Sequence, residues 1–299
     1  MKLAKLLHNP GAGDEDHDRK DLISLIESSG FKCRYSSTKK DDWKEVEKDV
    51  DFLVVAGGDG TVRQITKELL DRKLLDKTWP IGLLPLGTAN NIAKTLQLER
   101  ETEELIECWH QWNIKKYDVG RITHLDDAFF FLESFGYGLF PYLMSEMKSR
   151  KKETQDLSPE ESLQKALEVL LELLPAYKPH HCQLEIDGTD YSGQYLLVEV
   201  MNTRSIGPNL LLAPGAHPDD GELEVVLVSE GEQEQFASYL AHKLRGEEVD
   251  AAFPTVKAQK IKVSWEGTHV HVDDEVVKIK KGQEVEIEIK PGLLEFLVP

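Results

Sequence analysis

The apolar residues of the first third fall in short unbroken runs, each followed by a glycine turn and then by apolar positions at helical spacing. Phe52-Leu53-Val54-Val55-Ala56 is too short for a helix and rich in β-formers, so it predicts a strand buried on both faces. It runs into Gly57-Gly58-Asp59-Gly60-Thr61, after which Val62, Ile65 and Leu69 recur at helical spacing. Thr61 with Gln64 three residues later predicts a capping box that starts the helix. Residues 3–7 repeat the pattern, ending in Asn9-Pro10-Gly11-Ala12-Gly13 before a helix with Leu22, Ile23, Leu25 and Ile26 as its buried stripe and Gly30 as its stop. Residues 31–35 read as a strand and 42–48 as a short polar helix. Residues 81–84 lead into Pro85-Leu86-Gly87-Thr88-Ala89-Asn90-Asn91 and a third helix carrying Ile92, Leu96 and Leu98. This alternation predicts a parallel sheet with crossover helices, a Rossmann-like α/β domain. Its three glycine turns then share the edge outside the carboxyl ends of the strands, where open sheets bind ligands.

From about Tyr117 the period changes. Segments 128–134, 183–186, 194–201, 223–228, 259–265, 269–272, 276–280 and 284–289 read as strands, several joined by short turns such as Asp187-Gly188 and Asp273-Asp274. Helices at 160–174 and about 233–245 interrupt them. The expectation is a nucleotide-binding α/β domain over 1–117 and an antiparallel β-sandwich with two inserted helices over 118–299, its last strand free to return to the first domain.

Composition narrows the partners. A chain of 299 residues with 40% apolar and 30% charged content has room for two globular cores. Its net charge of −18 lies almost wholly beyond residue 117, which excludes binding nucleic acid by counterion release and disfavours polybasic attachment to a membrane. Lys148-Ser149-Arg150-Lys151-Lys152, after apolar 139–147, reads either as a transient membrane-surface contact or as a solvated linker. Cys33, Cys108 and Cys182 are widely spaced and odd in number, as free thiols in a reducing compartment are. No run approaches the roughly 20 apolar residues of a membrane span, and the N-terminus is too short in apolar residues for a signal peptide. The expectation is a cytoplasmic protein, at most peripheral to the membrane.

Strand, glycine turn and helix N-terminus together aim backbone N–H groups at one point and let an anion approach closely, which suits phosphate. Asp59 would repel phosphates unless a cation lay between them, so the loop reads as a site for a magnesium nucleotide. Neither a Gly-Lys-Ser/Thr P-loop nor a G-x-G-x-x-G dinucleotide fingerprint is present at this turn. Phe129-Phe130-Phe131-Leu132 and Leu210-Leu211-Leu212 serve equally as walls of an acyl slot or as plain core.

NPGAG at 9–13, GGDGT at 57–61, PLGTAN at 85–90, LLLAPGAHPDDGELEVV at 210–226 and VDDE at 272–275 together resemble the bacterial diacylglycerol kinase and sphingosine kinase superfamily. The resemblance implies an ATP- and magnesium-dependent kinase acting on a hydroxyl of a diacylglycerol-like or related lipid, with a homodimer left open. It implies nucleotide contacts from Thr38, Gly57, Gly58, Asp59, Gly60, Thr61, Val62, Arg63 and Thr88, and catalytic roles for Asp59 and, as general base, Glu275. It assigns Asp59 and Asp118 to the catalytic magnesium network, and a structural magnesium to the Asp220 side chain with carbonyls of His217 and Glu222. Taken alone, Glu275 is a charged hairpin tip and 217–222 an acidic turn. GGDGT is shared with NAD kinases, the alternative enzyme; a nucleotide-binding regulator without catalysis is the alternative class. The chain departs from the family at Arg63-Gln64, commonly Asn-Glu, and at Asn91, commonly Asp. His269 and His271 receive no role.

Overall fold

The N-terminal apolar runs form parallel strands in a computed structural model that describes residues 1–13, 18–70, 78–126, 128–150, 157–247, 249 and 252–299. β1 (Leu3–His8), α1 (Arg19–Ser28), β2 (Lys32–Ser37), β3 (Phe52–Gly57), α2 (Asp59–Leu70), β4 (Ile81–Pro85), α3 (Asn91–Thr95) and α4 (Thr102–Cys108) alternate as expected of a Rossmann-like domain. The strand order is β2-β1-β3-β4, every pair parallel, with Phe296 from the C-terminus paired in parallel beyond β4. β3 is central, and all six of its residues are buried. Helix α1 is capped by Asp18, which accepts from the Lys20 N–H (2.5 Å), and it buries Leu22 and Ile26. Gly30 follows at φ +85°, a left-handed stop.

Three local expectations need correction. The helix after the glycine loop starts at Asp59, because Gly58 O already accepts from the Thr61 and Val62 N–H groups (2.9 and 3.1 Å). The polar helix at 42–48 is a single 3-10 turn, Asp41–Lys44, which buries Trp43. The third helix is only five residues long, and Leu96 and Leu98 reach the core from the turn beyond it.

Chain clustering gives two compact units, Met1–Tyr117 with Gly292–Pro299, and Asp118–Pro291. Within the second, every strand pair of known register is antiparallel. Its strands are β5 (Ile114–Thr123, which begins in the first unit), β6 (Phe130–Phe131), β7 (Ser134–Gly138), β8 (His180–Ile186), β9 (Thr189–Asp190) and β10 (Gly193–Met201). There follow β11 (Ser205–Ile206), β12 (Leu210–Leu211), β13 (Leu223–Ser229), β14 (Thr255–Ala258), β15 (Lys260–Trp265), β16 (His269–Val272), β17 (Glu275–Lys278) and β18 (Glu284–Leu297). Its helices are α5 (Leu139–Ser149), α6 (Pro159–Leu173) and α7 (Gln233–Leu244). The unbroken apolar run of β13 reflects burial on both faces. Leu223, Val225 and Leu227 join a core made of strands, while Val226 and Val228 join one shared with α5, α6 and α7. Helix α5 occupies the segment whose basic tail was read as a membrane contact or linker; Lys151 and Lys152 lie outside the described residues.

The expected strand at 128–134 is broken into β6 and β7, because the Leu132 and Glu133 N–H groups donate to the Asp273 carboxylate. Phe130, Phe131, Leu132, Leu210 and Leu212 are buried, whereas Phe129 is exposed and Leu211 half-buried. Among the described residues no helix is long and apolar enough to cross a membrane.

Candidate active site

The three glycine turns meet. Asn9 N–H donates to Ala56 O (2.9 Å), its side-chain amide donates to Thr61 Oγ1 (3.0 Å), and Leu86 N–H donates to Gly57 O (3.1 Å). A Cβ on Gly58 would stand 2.9 Å from Gly87 Cα, so two backbones touch where any side chain would part them. Asn90 shapes the third turn: it is left-handed (φ 52°), its Oδ1 accepts from Gly87 N–H (3.0 Å), and its amide donates to Pro85 O (3.2 Å) and Gly87 O (2.7 Å). In the first turn of α2 the Thr61 and Val62 N–H groups are taken by Gly58 O, while the Gly60 N–H has no acceptor within the helix.

Asp59 joins two of the turns. Its Oδ2 accepts from the Asn91 N–H (2.9 Å) and its Oδ1 from the Ile92 N–H (3.0 Å), so the carboxylate of one loop caps the helix of another. Asp59→Ala is expected to cost about 1 kcal/mol of stability by removing that cap. Denaturant unfolding checks this, and an unchanged midpoint refutes it. Thr61 is buried and ties the first two turns together, so the capping box with exposed Gln64 does not form. Val62 is buried, and its N–H donates to Gly58 O (3.1 Å). Arg63 is half-buried, and Thr88 is exposed on the third turn. Thr38 continues β2 beside the end of β1, its N–H donating to His8 O (2.9 Å). The next residue, Lys39, places its ammonium 3.0 Å from where a Gly11 Cβ would stand, a cation beside the glycine turns. No motif surrounds Lys39, so only the fold reveals it.

In the second unit two of the residues that the resemblance assigns to metal, Asp220 and Glu222, are ion-paired to a lysine. Lys257 Nζ lies 3.1 Å from Asp220 Oδ2 and 2.7 Å from Glu222 Oε2, and these bonds, Glu222's the stronger, hold the ammonium pKa above its ordinary value. Asp220 Oδ1 accepts from the Glu222 N–H (3.0 Å). Asp118 is buried; its Oδ2 accepts from Gly221 N–H (2.7 Å) and its own N–H donates to Pro218 O (2.6 Å), so it braces the loop from below. His217 O accepts from Asp220 N–H at 3.4 Å. A divalent ion at Asp220 would confront an ammonium, so the set does not fit a structural magnesium while Lys257 stands there. Magnesium should therefore raise the melting temperature of Lys257→Met more than that of the unaltered chain. Thermal melts with and without millimolar magnesium decide this, and a shift confined to the unaltered chain overturns it.

Glu275 opens β17 and is exposed. Asp273, two residues earlier, sits at φ 53° and accepts from the N–H groups of Leu132 (3.1 Å), Glu133 (2.8 Å) and Ser134 (3.2 Å). Asp273 N–H returns a bond to Ser134 O (2.8 Å). The turn ahead of Glu275 is thus pinned in both directions.

The parallel α/β unit carries merged glycine turns, and the antiparallel unit carries an exposed carboxylate just after a pinned turn. Residues 4–122 match the diacylglycerol kinase catalytic domain, and 150–298 match the YegS C-terminal NAD kinase beta sandwich-like domain. Residues 4–122 thus carry a diacylglycerol kinase catalytic domain and 150–298 the sandwich-like domain that follows it, as in the lipid kinases this chain resembles. It is 25% identical over 274 residues to a diacylglycerol kinase of Bacillus subtilis (strain 168), covering 88% of this chain and 86% of that one. It is 24% identical to one from Staphylococcus carnosus (strain TM300), covering 92% and 89%. A crystal structure of a diacylglycerol kinase from Bacillus anthracis str. Sterne shares the fold at TM-score 0.73 and 22% identity, covering 100% of this chain and 97% of that one. An NAD kinase from Archaeoglobus fulgidus in complex with ATP is more distant in fold, at TM-score 0.50 and 14% identity.

Proposed function

We propose that this enzyme transfers the γ-phosphoryl group of ATP to a hydroxyl of a diacylglycerol-like lipid. The observation that carries the reading is the convergence of the three glycine turns, with Gly58 against Gly87, on the open N-terminus of α2. Backbone N–H groups there receive phosphate oxygens, and the helix dipole favours their charge. Lys39 and Arg63 add positive charge. The Asp59 carboxylate, held beside the turns by the Asn91 and Ile92 N–H groups, is an oxygen acceptor of the kind that suits the water shell of a magnesium ion carried by the nucleotide. Magnesium, when bound, neutralises the charge on the β- and γ-phosphates. Glu275 accepts the proton of the lipid hydroxyl, whose oxygen bonds to the γ-phosphorus as the bond to the β-phosphate bridging oxygen breaks.

The names of the relatives support a diacylglycerol-type acceptor. The test is to give the enzyme γ-labelled ATP with diacylglycerol, with a total lipid extract, and with NAD in separate reactions. Label in a lipid product is the expected result; label in NAD alone makes it an NAD kinase, and label in neither overturns the transfer.

A further inference from the structure

Gly136 stands between two buried ionisable residues. On β7 it pairs with Glu199 of β10 on one side and with His271 of β16 on the other. A Cβ on Gly136 would run into the Glu199 carboxylate, so glycine in the middle strand is what lets the outer two side chains meet. They meet away from solvent, at 0% and 1% exposure, with His271 Nε2 2.7 Å from Glu199 Oε2. The other ring nitrogen, Nδ1, lies 3.0 Å from the backbone oxygen of Asp273. The charged groups bearing on the ring are Glu199 from β10 and Asp273 from its own hairpin. β7 and β17 oppose it with Gly136 and Val276, and α5 presents the Phe140 ring at 6.2 Å.

Hydrogen-bond rules fix the protons. A carbonyl oxygen only accepts, so Nδ1 must carry a hydrogen. Nε2 then faces a carboxyl oxygen, and one proton must stand between them, as imidazolium with carboxylate or imidazole with carboxylic acid. Burial alone lowers the His271 pKa, but the facing Glu199 raises it beyond that, and burial raises Glu199. Both directions retain the proton. Its loss leaves two arrangements. Either the Nε2 lone pair faces a carboxylate in a dry site, or the hydrogen moves to Nε2 and the bond from Nδ1 to Asp273 disappears.

We propose that Glu199 and His271 are positioning residues whose shared proton holds the Asp273-Asp274 turn, and with it Glu275, so that turnover falls when alkaline pH removes that proton. The proposal rests on Glu275 as the general base. The sign follows from linkage: folding raises the His271 pKa, so its stabilisation is complete below the ordinary value of about 6.5 and is lost as pH rises through the folded value.

The experiment measures turnover and the KM for ATP from neutral to alkaline pH, with amide hydrogen exchange at 273–276, for the unaltered enzyme and three variants. Glu199→Gln can donate its amide to the Nε2 lone pair while Nδ1–H stays on Asp273, so it should turn over at neutral pH and lack the alkaline fall. His271→Phe keeps a ring but loses both bonds. It should lose about tenfold or more in kcat at every pH, leave the KM for ATP unchanged, and exchange faster at the turn. An alkaline fall unchanged in Glu199→Gln, or unchanged exchange in His271→Phe, overturns the proposal. Glu275→Gln separates the two readings. If it is inactive while His271→Phe behaves like the unaltered enzyme, only the positioning couple fails. If it turns over normally, the assignment of the base fails and takes the turnover half of this proposal with it.

Discussion

Glu275→Gln should lower kcat by about 10²-fold or more while leaving ATP affinity unchanged. The amide has nearly the same shape and still accepts a hydrogen bond from an acceptor hydroxyl, but it cannot take the proton. The loss therefore falls on the chemical step. Glu275 is exposed on β17, where an isosteric amide is accommodated without repacking, and the melting temperature should hold. Steady-state kinetics with nucleotide titration and a thermal melt check all three. Turnover within a few-fold of the unaltered enzyme would remove Glu275 from the mechanism.

Gly87→Ala should be as damaging by a different route. The added methyl would meet Asn90 Oδ1 at 2.8 Å and press into the Gly58 backbone, where no flexible side chain can yield. The third turn must then move away from the GGDGT loop. Movement stretches the bonds from Asn91 and Ile92 to Asp59 and loosens the convergence on which phosphate binding depends. Overpacking of this kind costs about 1–3 kcal/mol, and the nucleotide should bind at least about tenfold more weakly. Denaturation and nucleotide titration decide it; normal affinity would show that the close approach of Gly58 and Gly87 is incidental to the site.

Much of the fold was legible because its signals are local. β3 announces itself by five apolar residues ending in glycine, and α1 by its stripe and Gly30, since burial on both faces and a left-handed stop each leave a mark within a few residues. The motifs GGDGT and PLGTAN located two of the glycine turns that meet for the same reason. Boundaries failed where a distant partner competed for a backbone group. β6 and β7 are parted by the Asp273 carboxylate, 141 positions from Leu132, and the start of α2 is set by Gly58 O rather than by Thr61.

The sequence by itself determined the order of elements, the glycine turns and the identity of the exposed carboxylate at 275, all properties that residues carry with their neighbours. Only the tertiary structure decided what the acidic residues do. Asp59 caps a helix some thirty residues on, Asp220 and Glu222 hold Lys257, and Glu199 meets His271 across Gly136. A carboxylate accepts from whatever donor the fold delivers, an N–H group, an ammonium or an imidazole. Its role is therefore written in the partner, and the partner is chosen by strand register and loop closure, over distances that no local pattern spans.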